Sequence, residues 1–223
     1  MEDSVSPVPA TWPRDLKSAG AVQRAMAPLV RLQDDTAAVT TIAGVDTGFE
    51  DGGATARACI AVVRWPDLAP VTTVVGRAAV AFPYIPGYLS FREMPAVLSA
   101  MAELPALPDL LLCDGQGIAH PRRFGIAAHL GLWLDRPAIG VGKSRLCGEH
   151  APVGNNKGEE EPLYDGGERI GTVLRSRTGV KPLYVSPGHR VDHQAAVRWV
   201  LACTSRYRLP EPIRAADRSA SGR

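Results

Sequence analysis

The chain has 223 residues, 45% of them hydrophobic and 22% charged, with a formal net charge of +2. That length suits one domain with a substantial buried core, and the balance excludes a disordered or strongly basic protein. The longest apolar runs, such as Leu110–Cys113 and Cys59–Val63, are far shorter than the ~20 residues that span a bilayer, so no membrane partner is expected.

The opening stretch, MEDSVSPVPATWPRD, is acidic and proline-rich. It lacks the basic start and apolar run of a signal peptide, which points to the cytoplasm. Residues 1–12 read as a flexible tail, 13–218 as a single domain and 219–223 as a second tail. Leu16 to Leu32 is rich in Ala, Leu and Val and reads as a helix weakened by Gly20. Thr41–Thr47 reads as a buried strand. Asp51-Gly52-Gly53 turns the chain into a second strand, Ala58–Trp65, and Pro66-Asp67 turns it into a third, Val71–Phe82. Strands joined this tightly are antiparallel.

Pro83-Tyr84-Ile85-Pro86-Gly87 is a stiff loop. Ser90-Phe91-Arg92-Glu93 has the spacing of a capping box and predicts a helix running to about Glu103. Asp109–Cys113 is a continuous apolar strand, the mark of a central parallel position. A helix over Phe124–Leu134 and a strand over Ala138–Gly142 follow. Gly148–Gly167 is polar and loop-like, its run Glu159-Glu160-Glu161 reading as a solvated face. Ile170–Leu174 and Leu183–Ser186 read as strands, and Asp192 caps a last helix, Gln194–Cys203. The pattern predicts an α/β fold with a mixed sheet, an antiparallel three-strand start plus parallel strands, flanked by helices.

Four cysteines, Cys59, Cys113, Cys147 and Cys203, are scattered with no CxxC pair, so buried free thiols are expected over a zinc site or a disulfide frame. Charge is uneven along the chain: residues 169–223 hold 11 Lys/Arg against 3 Asp/Glu. A basic C-terminal part fits a polyanion partner, although an Arg-rich solvated surface has the same composition.

Three carboxylates stand out by position. Asp46 and Asp114 each end an apolar strand, and Glu93 opens a helix after the stiff loop. Strand-end acids of an α/β sheet lie where ligands bind. A lone strand-end Asp ordinarily just opens a loop; the three together favour a site. If the two strands are neighbours, Asp46 and Asp114 repel each other and a divalent cation relieves the cost. Oxygen-only ligation favours Mg2+ or Mn2+ over zinc. Such a cluster suits phosphodiester hydrolysis. After Asp114, the run Gly115-Gln116-Gly117-Ile118-Ala119-His120-Pro121-Arg122-Arg123 combines glycines that admit a ligand with polar groups for phosphate; a plain loop histidine is an equal reading of His120. Lys143, ending a central strand, reads as a cation facing the scissile phosphate. Gly140-Val141-Gly142-Lys143-Ser144 is not a phosphate-cradling loop, because Pro137 stands where that motif needs glycine. His189 and His193 have the spacing of a helical metal pair, but Asp192 as a cap leaves only His193 inside the helix.

Six stretches together resemble one family: Ile42–Asp46, Pro83-Tyr84-Ile85-Pro86-Gly87-Tyr88-Leu89-Ser90-Phe91-Arg92-Glu93, Asp114–Arg123, Ile139–Lys143, Gly188-His189-Arg190 and Arg208-Leu209-Pro210-Glu211-Pro212. The chain is similar to endonuclease V from about residue 15 to 218. The resemblance implies a ribonuclease-H-like fold and a metal-dependent repair nuclease. Such an enzyme recognises deoxyinosine and hydrolyses the second phosphodiester bond 3′ to it, leaving a 3′-hydroxyl and a 5′-phosphate. By motif position it implies Asp46 and Asp114 as direct Mg2+ ligands, Glu93 completing the cluster partly through water, and Lys143 near the cut phosphate. It further implies Tyr84 as a wedge, with Leu89, Ser90, Gly115 and Ile126 forming the base pocket. Gln116 stands where some members have His, Asp217 falls where relatives carry His or an acid, and the 148–167 loop has no clear match. The partner implied is DNA containing deoxyinosine, bound by a monomer. Inosine-containing single-stranded RNA is the alternative substrate, because a pocket built around the base does not read the sugar. A binding module without catalysis would have lost a metal carboxylate, and this chain keeps all three.

Overall fold

The computed structural model describes residues 5–221. Residues 1–4 of the expected N-terminal tail and 222–223 of the expected C-terminal tail lie outside the described residues. In chain order the elements are α1 (Leu16–Met26), β1 (Thr41–Glu50), β2 (Thr55–Arg64), β3 (Pro70–Ala79), α2 (Leu89–Met101), β4 (Leu110–Cys113), α3 (Ile126–Leu134), β5 (Ala138–Gly142), β6 (Glu160–Asp165), β7 (Glu168–Leu174), β8 (Leu183–His189), α4 (His193–Ala202) and α5 (Glu211–Ala220).

The strands form one eight-stranded sheet in the order β3-β2-β1-β4-β5-β8-β7-β6. β1, β2 and β3 are antiparallel, β1, β4 and β5 are parallel, and β8, β7 and β6 continue antiparallel. The expected α/β mixed sheet with an antiparallel three-strand start is the observed fold. β4 is central and parallel, and all four of its residues are buried.

Strand alternation divides the core. Ala43, Val45, Leu111 and Cys113 pack with Met94, Val97, Ile126 and Leu130 of α2 and α3. Ile42, Leu110, Leu112, Ile139 and Val141 face the other way, toward Val197 and Val200 of α4 and Ile213 of α5. Asp46 and Asp114 share the parity of Ile42 and Leu112, so both point to the α5 side of the sheet.

Several expected elements have different limits. α1 stops at Met26 instead of Leu32 because Pro28 has no N–H to continue the helix, and a single 3-10 turn over Ala27–Leu29 follows. α2 starts at Leu89 with Tyr88 as its flanking residue, so Ser90 lies inside the first turn and its hydroxyl makes no cap bond. The capping box does not form, because the same three-residue spacing recurs within a helix. Part of the expected 148–167 loop is a strand, β6, at the sheet edge, where Pro162 and charged residues are tolerated. Asp192 does cap α4, accepting from Ala195 N at 2.7 Å. α5 was absent from the expected elements and runs to Ala220, into the expected C-terminal tail. Ahead of α1, Trp12 donates to Phe91 O at 3.0 Å and its ring stacks on His129. Among the described residues, no helix is long and apolar enough to cross a membrane.

Candidate catalytic site

The parallel pairing of β1 and β4 sets Val45 beside Cys113, and Asp114 N donates to Val45 O at 2.9 Å. Asp46 and Asp114 therefore emerge side by side where this pairing stops: Asp114 follows β4, whereas Asp46 does not end its strand as expected but lies inside β1, which runs on to Glu50 paired with β2. α5 lies across β1 above them. Its approach depends on Gly44, where a Cβ would fall 2.0 Å from Pro212 O, and on Gly48, where a Cβ would fall 2.6 Å from Ala220 O. With Ile213 seated in the core, Asp217 one turn later is delivered to Asp46 and Asp114. Asp46, Asp114 and Asp217 each present an oxygen within 4.8 Å of the others.

The electrostatics of the group are those of crowded anions. The Asp46 carboxyl is pushed up to about 7, first by burial and then by the charge of Asp114 beside it. Lys143, following β5, ion-pairs with Asp114, and its Nζ lies 3.6 Å from Asp217. Burial opposes its charge, but Asp114, Asp46 and Asp217 hold its ammonium above the usual lysine range. Glu93 lies outside the 4.8 Å group. It is nearly fully buried on α2, and burial, with the charges of Asp46 and Asp114, raises its carboxyl well above the ordinary glutamate value. Three close oxygen donors with one raised carboxyl fit a hard divalent cation.

A cavity of about 240 Å³ opens beside this group. Tyr84, Leu89, Ser90, Gly115, His120 and Ile126 all line it, and Asp114 and Lys143 form its border with the acids. Gly115 has φ +152°, and a Cβ there would lie 2.7 Å from Ile126 Cγ2, so only glycine leaves this wall open. Ser90 Oγ and Gln116 Oε1, on lining residues, are buried without a hydrogen-bond partner among the described residues. Tyr84 stands at the mouth, 70% exposed between its prolines.

The polar groups expected to meet phosphate turn inward instead. His120 accepts from Arg122 N at Nδ1 (3.1 Å), so Nε2 carries the proton and donates to Gly87 O at 2.8 Å. Burial, reinforced by Arg122, pulls this imidazole down to about 4. It offers the cavity a neutral ring and no free nitrogen. Arg122 Nη2 also donates to Gly87 O, at 2.7 Å, and Arg123 pairs with Asp165 and Glu168. Gln23 of α1, which the sequence did not single out, donates to Gly87 O at 3.0 Å and Phe124 O at 3.2 Å. Three donors on one carbonyl thus fix the Tyr84 loop against the loop after Asp114. His189 and His193 do not pair: His189 ends β8 and bonds Asp135 at 3.2 Å, while His193 opens α4.

Three clustered acids, a lysine paired with one of them and an adjoining cavity have the character of an enzyme site on an α/β fold. The family model for endonuclease V matches residues 24–218. Endonuclease V of Alkalilimnicola ehrlichii is 64% identical over 182 residues, covering 82% of this chain and 80% of that protein. Endonuclease V of Nostoc punctiforme is 50% identical over 214 residues, covering 96% and 97%. The crystal structure of endonuclease V from Streptomyces avermitilis superposes with a TM-score of 0.91 at 39% identity, covering 98% of this chain and 96% of that one. The chain belongs to the endonuclease V family.

Proposed function

We propose that this chain is a Mg2+-dependent endodeoxyribonuclease directed at deoxyinosine, with Mn2+ able to substitute. It hydrolyses the second phosphodiester bond 3′ to the lesion and leaves a 3′-hydroxyl and a 5′-phosphate. The observation that carries this reading is the shared border of the two features: Asp114 and Lys143 belong both to the acid cluster and to the wall of the base-sized cavity.

Asp46 and Asp114 would hold the cation, with Asp217 as a third oxygen donor and Glu93 completing the cluster partly through water. Bound there, a divalent cation would supply water activation and charge neutralisation at the phosphate. Lys143 sets its ammonium against the phosphate at the cut. Tyr84 fills the space that an extruded base leaves in the stack. Leu89, Gly115, His120 and Ile126 enclose the extruded base. Ser90 Oγ and Gln116 Oε1 supply hydrogen-bonding groups that have no partner among the described residues. Hypoxanthine presents O6 and N7 acceptors and an N1–H donor. A pocket tight at C2 rejects guanine, and one that pairs with N1–H rejects adenine.

The proposed acting unit is the single domain 13–218, working as a monomer. Four free cysteines, three of them buried, suit the reducing cytoplasm. The test is cleavage of matched DNA and RNA strands, each holding a single inosine, in Mg2+. Nicking of the DNA at the second 3′ bond, with a product end that a polymerase extends, supports the reading. Exclusive cleavage of the RNA assigns the site to an inosine-specific ribonuclease. No cleavage of either, with binding retained, leaves a non-catalytic binding module.

A further inference from the structure

The segment 203–210 joins α4 to α5 and runs past Lys143. Arg208 turns inward from it: Nη2 donates to Lys143 O and to Pro182 O, both at 2.7 Å, and Ser176 Oγ donates to Arg208 O at 2.6 Å. This ties the segment to the end of β5 and leaves its neighbours Arg206 and Tyr207 on the outer side. The Arg214 guanidinium lies 3.4 Å from the centroid of the Tyr207 ring and that of Arg206 lies 4.8 Å from it. Arg206 Nη2 also donates to Tyr207 Oη at 2.6 Å. Arg214 is paired with Glu211 at 2.7 Å, whereas Arg206 is exposed and has no carboxylate partner among the described residues.

Two guanidinium groups held on one ring against a single carboxylate repel each other, and an anion between them and solvent relieves that cost. Their position says which anion. Arg214 precedes Asp217 by three residues on α5, so the two are surface neighbours on the helix. The cavity is bordered by Asp114 and Lys143 and not by Asp46 or Asp217. The order across the site is therefore cavity, Asp114 and Lys143, Asp217, and then Arg214, Tyr207 and Arg206. We infer that Arg206, Tyr207 and Arg214 form a subsite for the nucleic-acid backbone beyond the cut, binding phosphates 3′ of the scissile bond. The inference rests on the reading that the lesion base fills the cavity. Arg206 makes the phosphate contact, and Tyr207 and Arg214 hold its guanidinium in place.

The test measures binding of the full chain, with Ca2+ in place of Mg2+, to single strands carrying one inosine. The strands end either at the cut or about eight nucleotides beyond it, within the span one such groove tracks. The wild type gains about tenfold in affinity from the longer 3′ arm. Arg206→Glu removes most of that gain, changes affinity for the short strand by less than about twofold, and lowers the salt slope on the long strand by about one. Arg64→Glu makes the same charge change at the opposite end of β1, where Arg64 pairs with Thr41, and keeps the gain. Equal losses on long and short strands, or no loss on either, overturn the inference. Lesion-free strands of both lengths separate the two readings. A wild type indifferent to inosine contradicts the occupancy of the cavity, while the length-dependent effect of Arg206→Glu is still read on the plain strand.

Discussion

Gly44 of β1 lies under the backbone of Pro212: a Cβ at this glycine would fall 2.0 Å from the proline carbonyl oxygen. This contact, one turn of α5 before Asp217, sets how close the third acid comes to Asp46. Gly44→Ala must push α5 away from the sheet. Overpacking of this kind costs about 1–3 kcal/mol, to be read as a lowered urea midpoint. The same displacement should raise the Mg2+ concentration needed for half-maximal nicking. A variant with normal stability and normal metal dependence would show that α5 is not seated by this contact.

Asp217 itself is the second target. Asp217→Asn removes one charge from the 4.8 Å acid group without changing shape. Divalent affinity should fall by tenfold or more, a loss of about 1.4 kcal/mol per decade, and the variant should recover activity at raised Mg2+. Calorimetric titration of Mn2+ into both proteins measures it. An unchanged dissociation constant would remove Asp217 from the ligand set.

Tyr84 is exposed at the cavity mouth and belongs to none of the hydrophobic clusters of the described residues. Tyr84→Ala should weaken binding of an inosine duplex by about 1–3 kcal/mol, the scale of one aromatic–base stack, and leave Mn2+ affinity as it is. The measurement is the ratio of affinities for inosine and plain duplexes. A ratio equal to that of the wild type would argue against a wedge.

Two of the buried imidazoles, His120 and His129, give a pH dependence of stability. His120 is held down at about 4 and His129 at about 3, both by burial. Above the ordinary histidine value of 6.5 both are neutral, folded or unfolded, and their contribution to stability is fully present. As pH falls below that value the unfolded chain binds protons that the folded chain does not, so stability drops, down to the folded values. Tm should fall between pH 7 and pH 4, and His129→Phe should flatten the fall by about one proton's worth. An identical slope in the variant would contradict the assignment.

These residues also show what the sequence discloses. Asp46 and Asp114 were legible because an uninterrupted apolar strand precedes each and strand alternation then dictates which face they share. Five of the cavity residues, Tyr84, Leu89, Ser90, Gly115 and Ile126, were legible as motif positions, and the structure gathers them with His120 around one space. Asp217 was noted only as a motif position because α5 itself went unread, although Pro212, Ile213, Ala216 and Ala220 recur on one face among charged residues at helical spacing. A second signal lay in Gly44 and Gly48, spaced to admit a helix. His120, Arg122 and Arg123 carried the composition of a phosphate site, but each found an internal acceptor, which a linear sequence does not display. β6 was hidden by Glu160, Glu161 and Pro162, which an edge strand accommodates.

In the proposed reaction the acid cluster acts on a strand whose inosine fills the neighbouring cavity. The most direct measurement of this is single-turnover nicking of a duplex with one deoxyinosine, by the wild type and by Asp114→Asn, each checked for folding by thermal melting. The wild type should cut only at the second bond 3′ to the inosine and only with Mg2+ or Mn2+ present, while Asp114→Asn melts normally and nicks about a hundredfold more slowly or worse. Nicking by Asp114→Asn at the wild-type rate, or equal cutting of plain duplex by the wild type, would contradict it.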